Sequence, residues 1–136
     1  MLQRTHSPEE TKALARQWIA AHPTIKLWFL KGDLGAGKTC FVKGIATFFG
    51  SPENQVKSPT FSFIEVHDNW VHVDLYRLQE EDVFLNQELE EHLQAGRTLF
   101  IEWPQRLLSW QNRPHAEIQF THQGETEREL KLTLLS

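Results

Sequence analysis

Apolar residues recur at helical spacing at Leu14, Ala15, Trp18 and Ile19. They follow Ser7-Pro8-Glu9-Glu10, which supplies a capping side chain, a proline at the first helical position and a glutamate at the capping-box position. Pro23 closes that helix. Thr24 to Leu30 reads as a strand, apolar around Lys26, of the kind that is covered on both faces. A glycine-rich turn from Gly32 to Lys38 leads into a helix reaching about Phe49. Phe41, Val42, Ile45 and Phe49 face inward there, and Gly50 is the stop. Thr60 to Val66 and Trp70 to Leu75 read as two strands joined in a hairpin at His67-Asp68-Asn69. Glu80 to Gln94 is a helix with an acidic outer face, Val83, Leu89 and Leu93 inward, and Gly96 past its end. Thr98 to Trp103 is a second apolar strand, and Pro104 opens a short helix carrying Leu107, Leu108 and Trp110. Ala116 to His122 and Glu127 to Leu134 alternate with period two around Gln123-Gly124-Glu125, a second hairpin. The pattern predicts one α/β domain over residues 1–136, with a parallel centre and antiparallel additions.

Composition narrows the class. With 40% hydrophobic and 24% charged residues, the chain is neither disordered nor collagen-like. The densest apolar run, Leu27 to Leu30, is far too short for a bilayer, so no membrane role is expected. The N-terminal MLQRTHSPEE lacks the apolar stretch of an export signal, and the single cysteine, Cys40, cannot form an internal disulfide. Both point to the cytoplasm. The net charge of -4 is unlike that of a free-standing nucleic-acid binder, so any nucleic acid is expected to be held by a partner.

The most specific chemistry lies in Gly32-Asp33-Leu34-Gly35-Ala36-Gly37-Lys38-Thr39, a match to G-x-x-x-x-G-K-[ST]. Glycines let the backbone curl so that its N–H groups converge on an anion, and the next helix adds its N-terminus. Lys38 is placed to reach the β- and γ-phosphates and the Thr39 hydroxyl to ligate Mg²⁺. The strand before the loop and the amphipathic helix after it are the context such a loop requires. Cys40, one residue into the helix, reads as a small space-filling residue.

Such a loop needs an acid at the end of a neighbouring strand. Asp74 ends Trp70-Val71-His72-Val73, and Glu102 ends Leu99-Phe100-Ile101. The chain has no Asn-Lys-x-Asp, and Asp74-Leu75-Tyr76-Arg77 stands where guanine-specific proteins carry Asp-x-x-Gly, so ATP is preferred to GTP. It also has little room for the arginine-rich lid of a small-molecule kinase. Thr60 taken alone is an ordinary strand threonine, His72 a structural histidine, and Trp103 a turn anchor. Most of the five tryptophans are expected in the core.

Four segments together resemble one family: the loop at 32–39, Lys57-Ser58-Pro59-Thr60-Phe61, His72-Val73-Asp74-Leu75-Tyr76-Arg77-Leu78 and Ile101-Glu102-Trp103-Pro104. In order and spacing they are similar to the bacterial TsaE family, the ATPase component for threonylcarbamoyladenosine modification of tRNA. The resemblance implies a P-loop NTPase-like three-layer sandwich with a mixed, mostly parallel sheet and antiparallel hairpin additions. It implies ATP/ADP and Mg²⁺ as ligands, a TsaB–TsaD complex as partner, and tRNA met only through that complex. By position, it makes Thr39 and Glu102 the Mg²⁺ site, Asp74 a Walker-B-like acid, Thr60 a switch-like threonine and Trp103 the tryptophan beside the nucleotide. Two departures from the family pattern are Cys40, where a second threonine is usual, and the wording Val83-Phe84-Leu85-Asn86-Gln87. A small-molecule kinase and a nucleotide-gated binding module with negligible turnover are the competing readings.

Overall fold

In the computed structural model, Ser7 adopts extended backbone (φ -155°, ψ 160°), and its hydroxyl accepts from the Glu10 N–H. Pro8 then opens helix α1 (Pro8–Ala21), whose buried face is Thr11, Leu14, Ala15, Trp18 and Ile19. The structure describes residues 1–32, 37–56, 64–76, 78 and 83–136. Expectations for residues 60–63 of the first hairpin strand and for the first turn of the 80–94 helix lie outside the described residues.

Seven strands form one sheet: β1 (Leu2–Thr5), β2 (Leu27–Lys31), β3 (Ile64–Val66), β4 (Trp70–Asp74), β5 (Thr98–Glu102), β6 (His115–Gln123) and β7 (Glu127–Leu135). Their spatial order is β1-β7-β6-β2-β5-β4-β3. The central strands β6, β2, β5 and β4 are parallel to one another. The flanking pairs β1–β7, β6–β7 and β3–β4 are antiparallel. The first central strand begins at Leu27 rather than Thr24, because the Ile25 N–H turns back to the His22 carbonyl and extended pairing starts only after it.

Alternation along the strands divides the interior in two. Trp28, Leu30, Trp70, Phe100 and Ile118 meet α1 and helix α2 (Lys38–Phe48) on one side. Leu27, Phe29, Val71, Val73, Leu99 and Ile101 meet helix α3 (Val83–Gln94), Leu107 and Trp110 on the other. The result is helix–sheet–helix layering, with β2 buried on both faces as its apolar run requires.

Three local expectations are corrected. Val83 does not face inward; it is 75% exposed, and Leu85, Leu89 and Leu93 at four-residue spacing form the packing face instead. The stretch after Pro104 is two 3-10 turns, Pro104–Arg106 and Leu108–Trp110, and its Leu108 is exposed while Leu107 and Trp110 are buried. β1 has no counterpart in the sequence reading. Its pattern carries no apolar alternation, and it is held as an edge strand by its ladder to β7 and by the Met1 N-terminus on the Leu132 carbonyl at 2.8 Å.

The contact between α1 and α2 depends on Gly44. A Cβ there would lie 2.5 Å from the Lys12 carbonyl oxygen and 2.8 Å from the Lys12 Cα. Glycine in a helix interior ordinarily costs about 1 kcal/mol against alanine, so Gly44→Ala would stabilise an isolated helix. Here the neighbour is backbone, and overpacking of this kind costs about 1–3 kcal/mol. The expected outcome is a thermal midpoint several degrees lower for Gly44→Ala; a rise would show that the helices move apart without penalty.

Candidate functional site

The carboxyl ends of β2, β4 and β5 meet the N-terminus of α2. Gly32 leaves β2 at φ +144°, and a Cβ on it would stand 2.8 Å from the Phe120 carbonyl of β6, so only glycine fits this passage. Gly37 is the N-cap of α2 with left-handed backbone (φ +100°). Asp33, Leu34, Gly35 and Ala36, expected to complete the loop, lie outside the described residues, as do Thr60 and Arg77.

Lys38 is buried, and its Nζ donates to the Gly32 carbonyl at 2.7 Å. The same ammonium lies 3.8 Å from Glu102 Oε1 and 4.4 Å from the centre of the Trp103 ring. Thr39, on the next position of α2, is exposed. Asp74 and Glu102 are register partners across β4 and β5, which brings the two sequence-predicted acids side by side. Burial is the main cause that pushes the Asp74 carboxyl above its ordinary pKa, and the Glu102 carboxylate adds to it; the Tyr76 N–H, donating to Asp74 Oδ1 at 3.0 Å, works the other way.

Trp103 is the one non-glycine among the described residues with positive φ (59°, ψ 50°). A residue before proline ordinarily stays extended, so this conformation carries about 1–3 kcal/mol of strain. The turn aims the indole between the Lys38 ammonium and the Tyr76 ring, whose centroid is 5.0 Å away. The other four tryptophans, Trp18, Trp28, Trp70 and Trp110, are buried in the two cores.

Two features were missed from sequence. His72 Nε2 lies 2.5 Å from Glu102 Oε2, with the imidazole only 2% exposed. The signal was the spacing of His72 and Asp74, two residues apart on one strand and therefore on one face. The second is a cavity of about 370 Å³ beside Gly37, lined by His6, Ser7, Thr11, Cys40, Thr126 and Arg128 among others. It joins the start of α1, the first turn of α2 and the β6–β7 turn, residues that no local pattern brings together. A larger cavity, about 620 Å³, sits at the opposite end of β2, lined by Thr24, Ile25, Lys26, Pro114 and His115 among others, and holds none of the predicted site residues.

The oxygen donors that the sequence assigns to a metal are the Glu102 and Asp74 carboxylates, paired in register, and the hydroxyl of the exposed Thr39 on α2. That is a hard set, suited to Mg²⁺ shared with phosphate and water rather than enclosed by a protein cage. Among the described residues no group of three or more His, Cys, Asp or Glu is arranged to hold a metal ion. No helix among them is long and apolar enough to cross a membrane.

Comparison with known proteins finds relatives in sequence and in fold. The tRNA threonylcarbamoyladenosine biosynthesis protein TsaE of Bacillus subtilis is 35% identical over 134 residues, 96% of this chain and 83% of that protein. The protein of the same name from Rickettsia bellii is 37% identical over 102 residues, 72% of this chain and 70% of the relative. A crystal structure of Bacillus subtilis YdiB superimposes with a TM-score of 0.74 at 29% identity, covering 100% of this chain and 86% of that one. The profile of the family described as threonylcarbamoyl adenosine biosynthesis protein TsaE matches residues 5–130, and the chain belongs to the TsaE family.

Proposed function

We propose that this chain is the ATP-binding and ATP-hydrolysing component of the machinery that makes threonylcarbamoyladenosine at position 37 of tRNA. It works as a Mg²⁺-dependent P-loop ATPase, slow alone and stimulated by a TsaB–TsaD type complex. The observation that carries the reading is the cluster of Lys38, Gly32, Glu102 and Trp103 at the head of α2. A buried ammonium, a helix N-terminus and a strand-end carboxylate converge there, which is the equipment for a polyphosphate.

In this account Lys38 and the backbone N–H groups of Gly32 to Thr39 hold the phosphates. The nucleoside end takes the neighbouring 370 Å³ cavity, whose size falls within the ~300–1,000 Å³ of small-molecule sites. Thr39 and Glu102 would hold Mg²⁺, which when bound supplies neutralisation of the charge on the departing phosphoryl group. Asp74, its proton affinity raised by burial, and Thr60 orient the attacking water. The output is conformational: the ATP and ADP forms offer different surfaces to the partner complex and reset it between tRNA cycles. tRNA is met through that complex in the cytoplasm, consistent with the chain's net charge of -4.

Nucleotide binding has a built-in optical test. Displacing the Lys38 ammonium from the face of Trp103 toward a phosphate changes the field on the indole, whereas the other tryptophans are enclosed in the cores. Adding ADP or ATP is expected to change the intrinsic fluorescence of the wild type and to leave Trp103→Phe unchanged. Retention of the full signal by Trp103→Phe would remove Trp103 from the nucleotide site.

A further inference from the structure

His72 was read from sequence as a structural histidine, and its surroundings say more. β4 sends Trp70, His72 and Asp74 to the side of the sheet that faces α2, and β5 sends Phe100 and Glu102 to the same side. His72 pairs in register with Phe100, so its ring leans along the strands to reach the next same-face residue, Glu102. The contact is short, 2.5 Å from Nε2 to Oε2, and sealed from solvent.

The other ring nitrogen decides the direction of the bond. Nδ1 is buried and has no hydrogen-bond partner among the described residues. A proton placed there would be a buried, unpaired N–H, whereas a proton on Nε2 is donated straight to the carboxylate. His72 is therefore the donor and Glu102 Oε2 the acceptor.

That bond settles a competition. Lys38 Nζ stands 3.8 Å from Glu102 Oε1, within ion-pair range but beyond hydrogen-bond contact, while it donates to Gly32 at 2.7 Å. In a buried site a carboxylate and an ammonium this close attract each other strongly. A carboxylate with no other anchor would close onto the lysine, and each charge would be spent on the other. His72 pulls on the far oxygen of the same carboxylate and fixes its rotation.

We propose that His72 is a positioning residue, whose Nε2–H holds the Glu102 carboxylate off Lys38 and aims it as a ligand for the divalent cation that accompanies the nucleotide. The assignment rests on the nucleotide reading above. His72 touches neither phosphate nor the reacting atoms in this role. Hydrogen-bonding partners of metal ligands typically account for about 10- to 100-fold in metal affinity.

The test is the Mg²⁺ dependence of ADP binding, followed by calorimetry over a Mg²⁺ series, with thermal melts of each variant. His72→Leu removes the donor. His72→Gln puts an amide N–H close to the Nε2 position, and His72→Asn puts it at the Nδ1 position, out of reach of Glu102. The expected result is a half-saturating Mg²⁺ concentration about 10- to 100-fold higher in His72→Leu and His72→Asn, and within a few-fold of wild type in His72→Gln. If His72→Leu does not fold, the Asn and Gln pair carries the same comparison. A merely structural histidine would lower the melting temperature of these variants and leave the Mg²⁺ series unmoved, which would overturn the proposal. So would equal shifts in Gln and Asn. Wild-type protein that binds no ADP at any Mg²⁺ concentration would instead overturn the nucleotide reading on which the proposal stands.

Discussion

Lys38→Ala is expected to lower ATP affinity by about 10- to 150-fold, the equivalent of the 1.5–3 kcal/mol carried by a hydrogen bond to a charged group. Lys38 is buried at the head of α2, and its ammonium already bonds the Gly32 carbonyl at the mouth of the loop. A phosphate bound at the N-terminus of α2 would be met by this ammonium, and alanine deletes both the charge and the donor. The substitution also removes the ammonium beside the buried Glu102, which keeps its bond to His72, so a thermal melt belongs beside the titration. Calorimetry of ATP binding at fixed Mg²⁺ checks the expectation. Equal affinity in wild type and variant would take the phosphates away from this loop.

Asp74→Asn is expected to act on turnover rather than on binding, and Glu102→Ala on turnover and on the Mg²⁺ dependence of nucleotide binding. Groups that stabilise charge developing at a transferring phosphoryl oxygen are typically worth about 10²–10³ in rate. Glu102, beside Lys38, His72 and its register partner Asp74, would act through the Mg²⁺ that it is proposed to hold. Its truncation is expected to lower the partner-stimulated rate by about that factor. Glu102→Gln, which keeps an acceptor for His72 and loses the charge, separates the electrostatic contribution from the geometric one. Asp74→Asn keeps the shape and the bond from the Tyr76 N–H while removing a carboxylate. Its effect is expected in kcat with little change in nucleotide affinity, the mark of an interaction made in the transition state. Steady-state hydrolysis with the TsaB–TsaD complex, alongside ADP titrations, gives both numbers for each variant. Full activity in Glu102→Ala would remove Glu102 from the metal site.

How much of this was legible in the sequence depends on how local each feature is. The start of α1 was legible because Ser7, Pro8 and Glu10 state the cap within four consecutive residues. The burial of β2 was legible because its run is apolar on both faces. Asp74 and Glu102 were legible as candidates because each ends an apolar strand, but only the sheet register sets them side by side. β1 was not legible, since an edge strand held by backbone bonds to β7 needs no apolar alternation. The face of α3 is ambiguous at its start, where Val83 and Leu85 are both apolar, and the four-residue spacing to Leu89 and Leu93 selects Leu85. His72 escaped because its partner is 30 positions away on the adjoining strand, and only the sheet register makes them neighbours. The same holds for the cavity beside Gly37, where His6, Thr11, Cys40 and Arg128 converge from separate elements. The left-handed Trp103 has no signal at all in the residue order, since the following Pro104 argues for extended backbone.

The account turns on an ATPase that waits for its partner. An additional cation supplied in trans contributes about 10³–10⁵-fold in other P-loop proteins. The direct measurement is ATP hydrolysis at saturating Mg-ATP by this protein alone, by the TsaB–TsaD complex alone and by the two together. The account predicts a slow rate for the isolated protein and a rise of at least about tenfold on mixing, abolished by Lys38→Ala. A fast basal rate that the complex leaves unchanged, or no hydrolysis in any of the three, would contradict it.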